Sequence, residues 1–96
     1  MVDIASSLAP FVAVYDPAGT VVATNGRLDG RAPVPPLGVL ATATKKGSDT
    51  VTWQPRAGVR IGLVVLRWHG GTVLAGRSLR RVEAIESAIE GIVMVA

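Results

Sequence analysis

The chain has 96 residues, 49% of them hydrophobic and 18% charged, with no cysteine and a single histidine. This is the length of one domain, and the composition excludes a disordered segment, a disulfide-stapled miniprotein and a cysteine-ligated metal site; His69 alone offers little to any other metal. Ten basic against seven acidic residues leave a net charge of +3, with a pI near 10.2 and a mean hydropathy of +0.43. In chain order, Val2, Ile4, Ala5 and Leu8 fit one face of a short helix over residues 1–9, and Pro10 stops it. Phe11–Tyr15 is β-branched and aromatic and reads as a buried strand. Asp16-Pro17-Ala18-Gly19 has the residues a type I turn prefers, so residues 20–24 return as the second strand of a hairpin. Asn25-Gly26 breaks that strand, and residues 27–36 read as loop, held extended by Pro33, Pro35 and Pro36.

Leu37–Lys46 suits a helix with Leu37, Leu40, Ala41 and Thr44 on one face; two lysines followed by Gly47 mark its end. Residues 50–54 alternate, with Val51 and Trp53 on one side, and Pro55-Arg56-Ala57-Gly58 turns the chain. Val59–Trp68 is apolar on both faces, which predicts a central strand covered on both sides. His69-Gly70-Gly71 reads as a tight hairpin turn, residues 72–77 close a three-strand meander, and Ser78 can cap a final helix over 79–96. The order is α-β-β-α-β-β-β-α: an α+β domain with residues 10–78 as a five-stranded antiparallel sheet and its crossover helix.

A domain of this size buries only about 60–65% of the surface its unfolded chain exposes. So apolar a composition predicts that part of the surface meets a second chain, a membrane-proximal neighbour, or solvent at a cost. No window reaches the ~18–20 apolar residues of a membrane span, and the start lacks the pattern of a signal peptide. The unbroken apolar run Gly91-Ile92-Val93-Met94-Val95-Ala96 supports two readings: a domain cut from a longer protein where a helix continues, or a terminal helix packed on its own domain.

The segment Tyr15-Asp16-Pro17-Ala18-Gly19-Thr20-Val21-Val22-Ala23-Thr24 resembles the D-x-x-G-x-V-x-A hairpin that opens many PAS and Cache-type sensor domains. Arg27-Leu28-Asp29-Gly30, the stretch from Pro33 to Leu40, Trp53-Gln54-Pro55-Arg56 and Leu74-Ala75-Gly76-Arg77-Ser78-Leu79 resemble a family of bacterial membrane proteins. In these, an extracytoplasmic PAS-like, single-Cache domain sits between two membrane helices. The resemblance spans roughly Phe11 to Glu86. It implies a PAS-like sheet, a sensor or ligand-binding role outside the cell membrane, anchorage through flanking segments, and frequent pairing as a homodimer. Related periplasmic domains of citrate-type sensor kinases bind carboxylates through basic and hydroxyl side chains; that cluster does not align onto this sequence.

Little here points to catalysis: the serines and threonines have no base nearby in sequence, and neither a P-loop nor a G-x-G-x-x-G pattern occurs. Asp16 and His69 read as turn residues, and no cofactor is predicted. Arginines dominate the bases, eight of ten, and suit planar anions. Arg60 and Arg67 are seven apart on one strand and so point to opposite faces. A charge beside a buried strand needs a partner. Gly62 and Gly76 leave room on the sheet for a ligand or for close helix packing. These observations predict a small anion site lined by Arg60 and Arg77, with Trp53 as its wall. In the last helix, Val82, Ile85, Ile89, Ile92 and Ala96 follow a 3-4 spacing. That predicts either a dimer seam, with Arg81 and Glu86 meeting across it, or a stripe docked on the sheet. Arg80 and Arg81 oppose the dipole at that helix's start, so something else must favour them, such as acidic groups on a partner or a bound anion. Scattered bases and four aromatics argue against a nucleic-acid partner. The expected function is a non-enzymatic extracytoplasmic sensor relaying through its terminal helices. The alternative is a dimerisation scaffold of roadblock or longin type. A scaffold should show a filled sheet face, and a sensor a polar cavity.

Overall fold

Residues 1–80 are described by the computed structural model. The expected N-terminal helix does not form. β1 (Val2–Asp3) is extended and pairs in parallel with β4 (Gly26–Arg27). Asp3 then closes a turn: its carbonyl accepts the N–H groups of Ser6 and Ser7 (3.2 and 2.8 Å), and its carboxylate accepts the Ser6 hydroxyl (2.7 Å). Such local side-chain bonds compete with a helix, and nine residues are too few to nucleate one unaided. Ile4 is buried instead, as part of the core.

β2 (Phe11–Tyr15) and β3 (Val21–Thr24) form the predicted hairpin. The Asp16 carboxylate accepts the N–H groups of Ala18 (3.0 Å) and Thr20 (2.9 Å). Its carbonyl accepts the N–H of Gly19, which sits at φ 85°. A type I turn followed by a left-handed glycine makes a bulge at the turn itself; a separate register shift lies farther along the hairpin, between Val14 and Tyr15. Residues 27–36 hold one turn that composition alone did not suggest. Asp29 (φ 53°) and Gly30 (φ 81°) are both left-handed, and Leu28 and Arg31 exchange backbone hydrogen bonds of 2.7 and 3.1 Å. Asp-Gly at the centre of a type I′ turn is the sequence signal for it.

α1 (Leu37–Lys46) has the predicted bounds. Gly47, at φ 94°, donates its N–H to the Ala43 carbonyl, and Lys45 and Lys46 occupy the last turn. The Arg67 guanidinium donates to the Thr44 carbonyl (2.9 Å), placing a cation at the negative end of the helix. The buried face of α1 is Leu40 and Ala43. Leu37, Ala41 and Thr44, expected on that face, are exposed, because the helix rests on β5, β6 and β7 through Leu40 and Ala43.

β5 (Ser48–Arg56), β6 (Val59–Trp68) and β7 (Gly71–Ser78) form an antiparallel meander. Its second hairpin turns on His69 (φ 49°) and Gly70 (φ 79°), flanked by the Trp68–Gly71 pair, which is the two-residue type I′ geometry. β7 also pairs with β2, so the sheet has the order β3-β2-β7-β6-β5. Among the described residues the fold is thus α+β: a five-stranded antiparallel sheet, the small β1–β4 pair and one helix. The expected final helix lies outside the described residues, as do Val82, Ile85, Ile89 and Ile92 and the dimer seam they would form. Ser78 Oγ does accept the Arg80 N–H (3.1 Å).

Register assigns the two faces. Phe11, Ala13, Tyr15, Trp53, Ile61, Leu63, Val65 and Leu74 point to the side of α1 and are buried together. Tyr15 anchors the proline-rich loop across this face, its hydroxyl donating to the Pro33 carbonyl (2.6 Å), and Pro33 and Pro35 are fully buried. Burial pushes the Tyr15 phenol up to about 12 from its ordinary 10.0. The phenol is therefore neutral in the fold, and its contribution to stability is complete below pH 10 and lost as pH rises from 10 towards 12. Tyr15→Phe is expected to cost about 1 kcal/mol at neutral pH by orphaning the Pro33 carbonyl. It should also flatten the alkaline fall in stability seen in urea melts across that pH range.

Among the described residues, the opposite, outer face does not carry the cover expected of a strand buried on both sides. Val12, Val64, Leu66 and Trp68 are 47–55% exposed there. Among the described residues, the chain that leaves β7 reaches this face: Leu79 lies over Gly62, 3.2 Å from where a Cβ would stand.

Candidate functional site

The three residues expected to share one site do not meet. Trp53 stands opposite Ile61, whereas Gly62 stands opposite Arg77. Side chains alternate along a strand, so Trp53 belongs to the α1 face while Arg60 and Arg77 belong to the outer face. Trp53 is 9% exposed and packs in the core; it walls no outer site. It borders a separate surface groove with Leu28, Val34, Pro35, Pro36 and Pro55. Arg60 lines a depression of about 150 Å³ with Gln54, Gly58 and Arg80.

Arg77 lines a larger recess of about 470 Å³ on the outer face. Its floor is the backbone of β6 and β7 at Gly62, Val64, Ala75 and Gly76, Thr50 and Thr52 of β5 flank it, and Pro10 and Leu79 form its rim. The recess exists because two floor positions are small. Gly62 and Ala75 leave the floor low. Among the described residues, its chemistry is an apolar floor, one guanidinium and two hydroxyls. This matches a small organic anion: the planar cation pairs with a carboxylate, the hydroxyls donate hydrogen bonds, and the apolar remainder lies on the sheet. Gly76, by contrast, serves packing on the other face. A Cβ there would lie 2.7 Å from Leu63 Cδ2 and 2.8 Å from Phe11 Cζ.

Thr50, Thr52, Pro10 and Leu79 were absent from the sequence-based site. The threonines were readable, since alternation through Val51 and Trp53 puts them on the other side. The contributions of Pro10 and Leu79 depend on how the two terminal arms meet the sheet. Those arms are joined: Arg80 Nη2 donates to the Ser6 carbonyl (2.8 Å), and the Leu79 N–H donates to the Arg60 carbonyl (3.0 Å). The Arg80 guanidinium thus has a backbone carbonyl of its own chain as a partner. Arg67 likewise has its partner at the end of α1 and takes no part in the recess.

Elsewhere, Asp29 and Arg56 make a two-point ion pair (3.1 and 3.2 Å) that ties the Asp-Gly turn to the end of β5. Both side chains are about half exposed, so the pair contributes at most about 1 kcal/mol. His69 stacks edge-on with Trp68 at 4.4 Å on the hairpin tip. Among the described residues, no three His, Cys, Asp or Glu side chains gather as a metal site, and no helix is long and apolar enough to cross a membrane. Comparison with protein-family models, with curated proteins and with solved structures finds no match to this chain.

Proposed function

We propose that the chain is a non-enzymatic PAS-like sensor module on the extracytoplasmic side of a bacterial membrane, held there by flanking segments. In this reading a small organic anion fills the outer recess and its occupancy is relayed through the terminal arms. The observation that carries it is the place of Leu79. This residue both rims the recess and begins the segment that leaves the sheet. A ligand entering beside Gly62 meets Leu79 first, and Arg80 couples that segment to the N-terminal arm at Ser6. The strand order, with a helix crossing between the second and third strands of the sheet, supports the PAS-like assignment.

A second reading, a ligand-free dimerisation scaffold of roadblock or longin type, draws on a different observation. The face beneath α1 is filled by core side chains from Phe11 to Leu74, as an assembly module requires. Thermal melts decide between the two. A panel of monocarboxylates and dicarboxylates should include at least one that raises Tm. A ligand at 100 times its Kd adds about 2.7 kcal/mol, a rise on the order of 10 °C for a domain this size. Arg77→Ala should abolish that rise while leaving the unliganded Tm nearly unchanged. A panel that moves no Tm, or a rise that survives Arg77→Ala, sinks the sensor reading and leaves the scaffold.

A further inference from the structure

We propose that the free edge of β5 is a self-association surface, on which a second copy of the chain adds its own β5 in antiparallel register. The sheet ends in two edges of different character. β3 is four residues long and its pairing carries a bulge, features that discourage strand addition. β5 is nine residues long and pairs regularly with β6 from Ser48 to Trp53. Proline and lysine, the usual guards of an edge, are absent from residues 48–54. Among the described residues no strand pairs with its outer side.

The hydrogen-bond phase of that edge is set. The Arg67 N–H donates to the Gly47 carbonyl (2.9 Å). Bonded and non-bonded pairs alternate in an antiparallel ladder. Asp49, Val51 and Trp53 therefore bond inward to β6, and Ser48, Thr50 and Thr52 present their N–H and C=O groups outward. Consistent with this, the Thr50 N–H is taken by the neighbouring Asp49 carboxylate (3.0 Å) rather than by the ladder. That exposed local contact is one a second strand's carbonyl replaces at little cost.

The strand is its own complement. With a two-fold axis through Val51, Thr50 of each copy faces Thr52 of the other, and Ser48 faces Gln54. Thr50 and Thr52 are outward-bonding positions on both sides, and cross-strand threonine pairs are favourable. Asp49 then faces Trp53, whereas an axis through Asp49 would set two carboxylates together and oppose pairing. The Val51 axis also uses the whole regular stretch of the strand. A second copy is favoured over a foreign strand because this register satisfies both partners with one sequence.

Sedimentation equilibrium on the 96-residue chain, from micromolar to millimolar concentration, should approach twice the 9.9 kDa chain mass. Thr50→Pro removes an N–H that β6 does not use, so it should return the mass to a single chain with the circular dichroism unchanged. Asp49→Ala removes the competing acceptor and should tighten association about three- to tenfold. The chain has no cysteine, so Val51→Cys places one thiol at the axis. There the facing Cα atoms of a non-bonded pair stand ~4.5 Å apart, and oxidation should give a covalent dimer quickly. Asp49→Cys should cross-link poorly, its two copies being ~13 Å apart along the strands. If Thr50→Pro loses its fold, the relative cross-linking rates of the two cysteine variants decide. A single-chain mass throughout overturns the proposal. So does a dimer that survives in folded Thr50→Pro, or one that cross-links no faster at Val51 than at Asp49.

Discussion

Phe11→Ala is expected to cost about 3–5 kcal/mol, the range for emptying a fully buried aromatic site. A domain of this size has only about 5–15 kcal/mol in all, so a large part of its stability goes with one ring. Phe11 is 1% exposed and stands opposite Gly76. Its ring occupies the space that Gly76 leaves open by having no Cβ, and its own Cβ sits 2.9 Å from where Gly26 would carry one. Two glycines on separate strands are shaped around this side chain, so the backbone has little freedom to collapse into the cavity. Val12→Ala is the control. It is the next residue, it faces outward and it is 47% exposed, and its cost should stay below about 1 kcal/mol. Urea melts of the two variants test the assignment of faces directly. Equal losses would mean that the register of β2 is wrong.

Gly71→Ala is the second large effect, expected at about 3 kcal/mol or more. The cause is steric. A Cβ on Gly71 would overlap the Tyr15 carbonyl, with the Asp16 carbonyl carbon at 3.2 Å, and these are backbone atoms that no rotamer change can move. The chain must either open the β2–β7 ladder at the Tyr15–Thr72 pair or distort the hairpin that follows Trp68. Overpacking against backbone lies at the upper end of such penalties. Gly70→Ala, one residue earlier, tests the mechanism. Its φ of 79° strains an alanine, yet the nearest contact, Pro17 Cγ at 3.7 Å, is an ordinary one. Its cost should be near 1 kcal/mol. Differential thermal melts, at about 4–8 °C per kcal/mol, separate the two.

Much of this fold was legible because its signals are local. The bounds of α1 followed from two lysines and a glycine, the first hairpin from Asp16 and Gly19, and the second from His69-Gly70. In each case the residues that specify the turn are the residues that make it. The Asp29-Gly30 turn was written just as locally and went unread inside a proline-rich stretch. The N-terminal helix failed for a reason of context: four apolar residues fit a helical face, but Asp3 and Ser6 bond to each other, and Ile4 gains more by entering the core than by lining a short helix.

The site was less legible. Trp53, Arg60 and Arg77 are far apart in sequence, and whether they share a face depends on how β5, β6 and β7 align. The two-residue turn at Ala57-Gly58 and the register shift between Trp53 and Arg56 settle that alignment. They send Trp53 to the core and leave the arginines outside.

The order of residues by itself determined where the five strands of the main sheet, α1 and the hairpin turns form, because backbone preference and capping act within a few positions. It also determined that one strand face would be apolar enough to build a core. Only the tertiary structure decided which face α1 and the proline loop would cover, that Thr50, Thr52 and Arg77 would surround one recess, and that Leu79 would rim it. Those outcomes depend on strand order and register, which bring together residues up to 69 positions apart (Pro10 and Leu79), a separation at which local preference carries no information.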